Sequence, residues 1–176
     1  MNRPGEGEAW SSLWKIQATP KAKHLLWRIC KDCLPARTQL RNRHVQYPVE
    51  CPLCLLEPEE EWHIFFECEG NKEAWTTMDL NHVLQSRINS SQNTRALIFD
   101  ICRYDNKQVA GKIAVLLWCI WQNRNNEVWN NSKLSAQQIG MQAANMWNEW
   151  ATVQGLLEEQ QTHEQQLTAR TDQQWQ

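Results

Sequence analysis

Cys51-Pro52-Leu53-Cys54 is followed after eight residues by His63, and after four more by Cys68. Three thiols and one imidazole within eighteen residues supply the donor set of a tetrahedral Zn²⁺ site. The two-residue gap between Cys51 and Cys54 lets a tight turn aim both sulfurs at one point while backbone N–H groups face them. His63 is expected on a short helix over Glu59–Glu67. Cys68, five residues on, lies about 140° further round an α-helix, so it shares an ion with His63 only if the helix ends there. Gly70 is the expected end. Zinc would join the turn to the helix end and contribute folding free energy directly. That matters for a segment whose own core is only Leu53, Leu56, Trp62, Ile64, Phe65 and Phe66.

The chain carries seven Cys, an odd number, and its first residues (Met1-Asn2-Arg3-Pro4-Gly5-Glu6) contain no apolar export signal. An intracellular setting, nuclear or cytoplasmic, is therefore expected, with thiols free or metal-bound rather than paired in disulfides. A rival site exists: Cys30-Lys31-Asp32-Cys33 and Cys51-Pro52-Leu53-Cys54 have the spacing of a Cys₄ ribbon. Against it, Cys30 and Cys33 fall within the amphipathic pattern of a helix, and choosing them strands His63 and Cys68. A thioredoxin-like redox role for the pair lacks the βαβ pattern that would surround it. Cys102 and Cys119 lie on apolar helix faces and read as core.

Charge is segregated although the net charge is only −2. Eight basic residues (Lys15, Lys21, Lys23, Arg28, Lys31, Arg37, Arg41, Arg43) and one acid, Asp32, lie between positions 15 and 43. Six acids and no Lys or Arg lie between Glu57 and Glu69. The basic stretch, interleaved with Trp14, Trp27 and His44, has the composition to track a phosphate backbone and stack on unpaired bases; the candidate contacts are Lys21, Lys23, Arg28, Arg37, Arg41 and Arg43. The competing reading is a solvated face with Trp14 and Trp27 in the core. Glu59-Glu60-Glu61 are consecutive, point in different directions and read as a solvated helix start. Polymerase and nuclease chemistry needs clustered carboxylates around two metal ions. The five Asp (Asp32, Asp79, Asp100, Asp105, Asp172) are scattered, so no catalytic residue is assigned and no enzyme is expected.

The elements that must position these residues are helical. All six Pro precede residue 59, which confines short, broken elements to the first third. Trp10 and Trp14 share a helix face by their spacing. A helix is expected from Pro20 through Cys33, with Ala22, Leu25, Leu26, Ile29 and Cys33 inward, and a short one over Ala36–Arg43. Further helices are expected near Trp75, over Thr94–Cys102, and over Lys107–Trp129 with Val109, Ile113, Leu116, Leu117, Ile120 and Trp121 inward. Ser135 and Gln138 form a capping box. Ile139, Ala143, Met146, Trp150, Val153 and Leu157 then recur at heptad spacing, suited to packing on the preceding helix or on a second copy. From Gln160 the Gln-rich chain is expected to fray into a disordered tail.

The expected class is all-α, a small zinc-binding module followed by a helical hairpin or bundle. Its divisions are a disordered start (1–9), the zinc module (10–85), a helical region (86–159) and the tail (160–176). The longest apolar run, Ile113–Trp121, falls short of the roughly 20 residues a membrane span needs, so no membrane partner is expected.

The Cys51-x₂-Cys54-x₈-His63-x₄-Cys68 pattern, with Glu59 four before the His and Phe65-Phe66 after it, resembles the zinc-binding domain that follows reverse transcriptase in plant LINE-type (non-LTR) retrotransposons. Upstream, Trp10, Trp14, Pro20-Lys21-Ala22-Lys23, Leu26-Trp27-Arg28, Leu34-Pro35-Ala36-Arg37 and Leu40-x₂-Arg43 follow the family's order. Downstream, Trp75 matches a Trp after the last ligand, and Trp118-x₂-Trp121-x₂-Arg124-Asn125 resembles the helix that precedes an RNase H domain. Arg124-Asn125 beside the two Trp reads as a buried polar pair that fixes helix packing. The family pattern does not ask for cysteine at Cys30 or Cys33, which favours the Cys₃His set. The resemblance implies a non-catalytic accessory piece of a mobile-element polyprotein, with reverse transcriptase and RNase H domains as neighbours and RNA or single-stranded DNA as partner. A zinc-stabilised structural or protein-interaction module is the alternative.

Overall fold

The computed structural model describes the backbone of residues 5–173 and the side chains of residues 5–155. Among the described residues eight α-helices and one π-helical turn succeed one another: α1 Glu6–Lys15, α2 Pro20–Cys30, α3 Arg37–Asn42, the π-turn His63–Glu67, α4 Glu69–Thr77, α5 Asn81–Ile88, α6 Thr94–Tyr104, α7 Lys107–Asn130 and α8 Ala136–Gln173. No strand occurs among the described residues; a single antiparallel bridge joins Glu50 and Pro58. The class is all-α, as expected.

Local chemistry accounts for the boundaries. Thr19 caps α2 by accepting from the Ala22 N–H, with Pro20 in the first turn. Asn93 and Asn106 cap α6 and α7 in the same way. The Ser135–Gln138 box is reciprocal: the Gln138 N–H donates to Ser135 Oγ at 3.2 Å, and the Ser135 N–H to Gln138 Oε1 at 2.9 Å. Helix α2 stops three residues short of expectation. Asp32 turns left-handed at φ 54 and its N–H returns to Ile29 O, which swings Cys33 into solvent, so Cys30 takes the last place in the buried stripe. Gly70 does not end a helix; Cys68, with extended ψ 120, does, and Gly70 lies in the first turn of α4. Residues 6–9, expected to be disordered, already form the first turn of α1.

One hydrophobic cluster runs through the molecule, from Leu13 and Ile16 through Phe65 and Trp75 to Leu116, Ile120 and Trp147. Helix α7 is its axis, with twelve of its residues buried. Two glycines mark where backbones nearly touch. A Cβ on Gly111 of α7 would lie 1.7 Å from Gln17 O, and one on Gly140 of α8 would lie 2.7 Å from Thr77 Cβ and 2.9 Å from Ala74 O of α4. Helix α8 packs against both α7 and α4.

Its seam differs from the heptad reading. Ile139, Gly140, Ala143 and Trp147 are buried, whereas Met146 and Trp150 are half-buried and Val153 is 53% exposed. A straight helix follows a 3.6-residue period, so the contact line drifts off a strict seven-residue repeat. The Leu157 side chain lies outside the described residues. The backbone from 160 to 173, expected to fray, continues α8; no Pro or Gly follows Gly155 to break it, and Gln is a good helix former.

Candidate metal centre

The expected donor set converges. One ligand atom from each of Cys51, Cys54, His63 and Cys68 lies within 4.8 Å of all the others. Cys51 Sγ and Cys68 Sγ are 3.9 Å apart, and Cys54 Sγ is 3.3 Å from His63 Nε2. A tetrahedron with Zn–S of 2.3 Å and Zn–N of 2.0–2.1 Å has edges of about 3.8 Å (S–S) and about 3.6 Å (S–N), so the residues fit the ion. Cys30 and Cys33 are not part of this group, which removes the Cys₄ ribbon.

Two local structures present the donors. The first is a loop pinched at its neck: the Cys51 N–H donates to Glu57 O at 2.8 Å and the Glu59 N–H to Val49 O at 2.7 Å. Inside it, the Leu55 N–H closes the turn onto Cys51 O at 2.9 Å, with Leu55 left-handed at φ 58. The N–H groups of Leu53 and Cys54 face the Cys51 sulfur, and that of Gly70 faces the Cys68 sulfur. The second structure is the π-turn. The Cys68 N–H bonds to His63 O at 2.7 Å, an i→i+5 step. This wider turn takes up one more residue than an α-turn, so the fifth residue returns beneath the first, which a regular helix does not allow. Carbonyls that the irregular turn frees are taken by side chains: Asn71 Nδ2 donates to Ile64 O at 2.8 Å and Trp75 Nε1 to Phe65 O at 2.9 Å.

The electrostatics suit thiolate chemistry. The hydrogen bond shared with Cys68, helped by the two backbone N–H groups, holds the Cys51 thiol down to about 5. Cys68 is pushed up by the same hydrogen bond and by burial. Outside the site, burial raises Cys30 and Cys102 to about 12 and Cys119 to about 11.

The acids before His63 are not uniformly solvated. Glu60 is exposed. Glu61 is half-buried, and burial, with the Asp32 charge second, raises its carboxyl to about 7. Glu59 is fully buried. Its Oε1 accepts from the Arg37 N–H at 2.8 Å, and Arg124 of α7 grips both oxygens, with Nε–Oε2 at 2.9 Å. Arg124 is 5% exposed and lies 4.8 Å from the Trp121 ring centroid. Sequence reasoning placed Arg124 in a buried polar role but missed the partner, 65 residues away. The available signal was one Arg within the apolar stripe of α7 and one acid at a fixed step before the metal histidine.

The six basic candidates do not form one patch. Lys21 stacks on Trp118 with its nitrogen 3.9 Å from the ring centroid. Lys21, His24, Arg28 and Lys31 recur on one outer face of α2, and His24 stacks on Trp27 at 5.5 Å. Lys23 donates to Trp14 O at 3.0 Å, and partial burial lowers its pKa. Trp14 is 46% exposed rather than core, and Trp27 is half-buried. Arg37 is committed internally, with Nη1 donating to Glu50 O at 2.6 Å and its guanidinium over Tyr47. Arg41 borders an open cleft with His44 and Tyr47, whereas Arg43 borders a different one with Asp32, Glu60 and Glu61. None of the eight basic residues from Lys15 to Arg43 forms a salt bridge among the described residues, while Lys72, Arg87, Arg95, Arg103 and Arg124 all do.

Among the described residues no helix is long and apolar enough to cross a membrane. No curated protein and no solved structure matches the chain. Residues 1–75, which contain all four converging donors, match the family model described as zinc-binding in reverse transcriptase.

Proposed function

We propose that this chain is a non-catalytic zinc-holding accessory module of a LINE-type retrotransposon reverse transcriptase, carried between polymerase and RNase H neighbours. One observation carries the reading: a Cys₃His cluster whose donor atoms all lie within 4.8 Å of one another, inside the segment that matches the reverse-transcriptase zinc-binding family. Cys51, Cys54, His63 and Cys68 would hold Zn²⁺, which would clamp the pinched loop to the π-turn and add its binding free energy to folding. A non-catalytic role is supported by the acids: Arg87 binds both Asp100 and Asp105, so two of the five Asp serve packing. Zinc stoichiometry on the purified chain tests the reading. One zinc per chain is expected, lost in Cys68→Ser and kept in Cys30→Ser; the reverse pattern would refute the ligand set.

RNA or single-stranded DNA is the proposed partner. Its support is the α2 face, where Lys21, Arg28 and Lys31 find no carboxylate among the described residues and two aromatic rings lie alongside. Charge reversal of Lys21, Arg28 and Arg41 should weaken binding and flatten its salt dependence, by about one unit of log–log slope for each phosphate no longer neutralised. Binding indifferent to both salt and these changes would leave the structural-module alternative standing. Arg37 is excluded from the test because its guanidinium holds the metal loop.

A further inference from the structure

We infer that Arg124 and Lys133 are positioning residues of the metal centre, reaching it from beyond the segment that matches the zinc-binding family; the inference rests on the zinc reading above. The centre is built from two separate pieces, the loop that carries Cys51 and Cys54 and the π-turn that carries His63 and Cys68. Between them runs only Leu55 to Trp62, an exposed arm as far as Pro58. What sets their separation is α7. Trp121 packs on Phe65 of the π-turn with ring centroids 6.4 Å apart. Arg124, three residues on and so on the same face, holds Glu59 at the neck of the loop. One turn of one helix thus grips both pieces. Glu59 passes the constraint on: its N–H is bonded to Val49 O, its C=O accepts from Thr38 Oγ1 at 2.7 Å, and its carboxylate holds the first N–H of α3. At the far end of the loop, Lys133, in the link between α7 and α8, donates from Nζ to Leu53 O at 3.3 Å. Leu53 lies between the two cysteines, and its own N–H faces the Cys51 sulfur. The α7–α8 corner therefore fixes the loop at both neck and tip, the role that outer partners play for metal ligands elsewhere.

The test is zinc affinity of the full chain, measured by competition with a chromophoric chelator. Cobalt substitution reports ligand geometry, and thermal unfolding of the metal-free protein reports stability. Arg124→Met alone would leave a buried carboxylate unpaired, so the informative variant is the double change Glu59→Gln with Arg124→Met, which removes both charges and keeps an acceptor for the Arg37 N–H. Zinc binding about ten-fold or more weaker, with an altered cobalt spectrum and a folded metal-free protein, is expected. Lys133→Met, which keeps the aliphatic stem, should weaken zinc a few-fold and leave metal-free unfolding unchanged. A folded double variant that binds zinc as tightly as the parent overturns the inference. If the double variant does not fold, Lys133→Met decides alone, and undiminished affinity there overturns it. A parent chain that binds no zinc overturns this inference together with the metal reading, an outcome distinct from tight binding that ignores both changes.

Discussion

The seven cysteines divide by environment into three kinds, and each kind has its own reactivity. Cys51, Cys54 and Cys68 face one another; Cys30, Cys102 and Cys119 are buried among apolar side chains; Cys33 is exposed at the left-handed turn after α2. With zinc bound, a thiol reagent at neutral pH should therefore modify one cysteine quickly, and chelation should add Cys54, half-buried where Cys51 and Cys68 are buried, while the chain stays folded. Mass spectrometry after brief alkylation checks the assignment; rapid labelling of Cys30 in the zinc-loaded protein would contradict it. The buried three also carry a pH dependence. Their folded-state pKa values, about 11 to 12, lie above the ordinary thiol value of 9.0. Between these limits the folded state keeps protons that the unfolded state releases. The contribution is thus fully present below about pH 9 and is lost as pH rises toward 11 to 12. Replacing Cys102 by Ala should make stability fall less steeply over that interval, as urea midpoints at pH 8 and pH 10.5 would show.

Helix α8 shows how a correct element can carry an incorrect face. Its start is legible because a capping box is a local device, readable from Ser135 and Gln138 alone. Its inward line is not, because a seven-residue repeat was imposed on a helix that packs straight against α4 and α7. Trp147 is the anchor instead: it is 8% exposed, donates from Nε1 to Gln17 O at 2.9 Å and lies under Lys112. Trp147→Ala should cost about 3–5 kcal/mol and Val153→Ala no more than about 0.5 kcal/mol, measured as urea unfolding free energies. Equal losses would restore the heptad seam. The close approach at Gly111 is a matching case: Ala there drives a methyl into Gln17 O and should cost about 3 kcal/mol. The four metal donors and the main helices were legible because ligand type, spacing and apolar period are local signals. The π-turn was not: nothing in His63 to Cys68 distinguishes an i→i+5 step from an i→i+4 one until the two donors must meet. The Glu59–Arg124 pair was hidden for a different reason, since sequence pattern does not join two charges 65 residues apart.

At the scale of the molecule, the family match and the folding unit have different limits. The match ends at residue 75, two residues short of the end of α4. Within it, Glu59 is fully buried against an Arg at position 124, Phe65 packs on Trp121, and Ala74 of α4 lies against Gly140 of α8. The division expected between a zinc module ending at 85 and a separate helical region is therefore crossed by the Glu59–Arg124 ion pair and by the large hydrophobic cluster. Removing one partner of a buried ion pair costs about 3–5 kcal/mol, and a domain of this kind has only about 5–15 kcal/mol to lose. Cutting after residue 90 removes the Arg124 side of that pair and uncovers the inner faces of α2 and α4 at the same time. Zinc can hold the loop and π-turn together but cannot replace that packing, since its four donors all lie between 51 and 68. The 1–90 fragment should therefore bind zinc yet give no cooperative thermal transition, whereas the full chain unfolds in one step whose midpoint rises with zinc. Circular dichroism melts of both, with and without saturating zinc, decide the matter: a cooperative, zinc-loaded fragment with the full chain's midpoint would show that the matched segment stands alone.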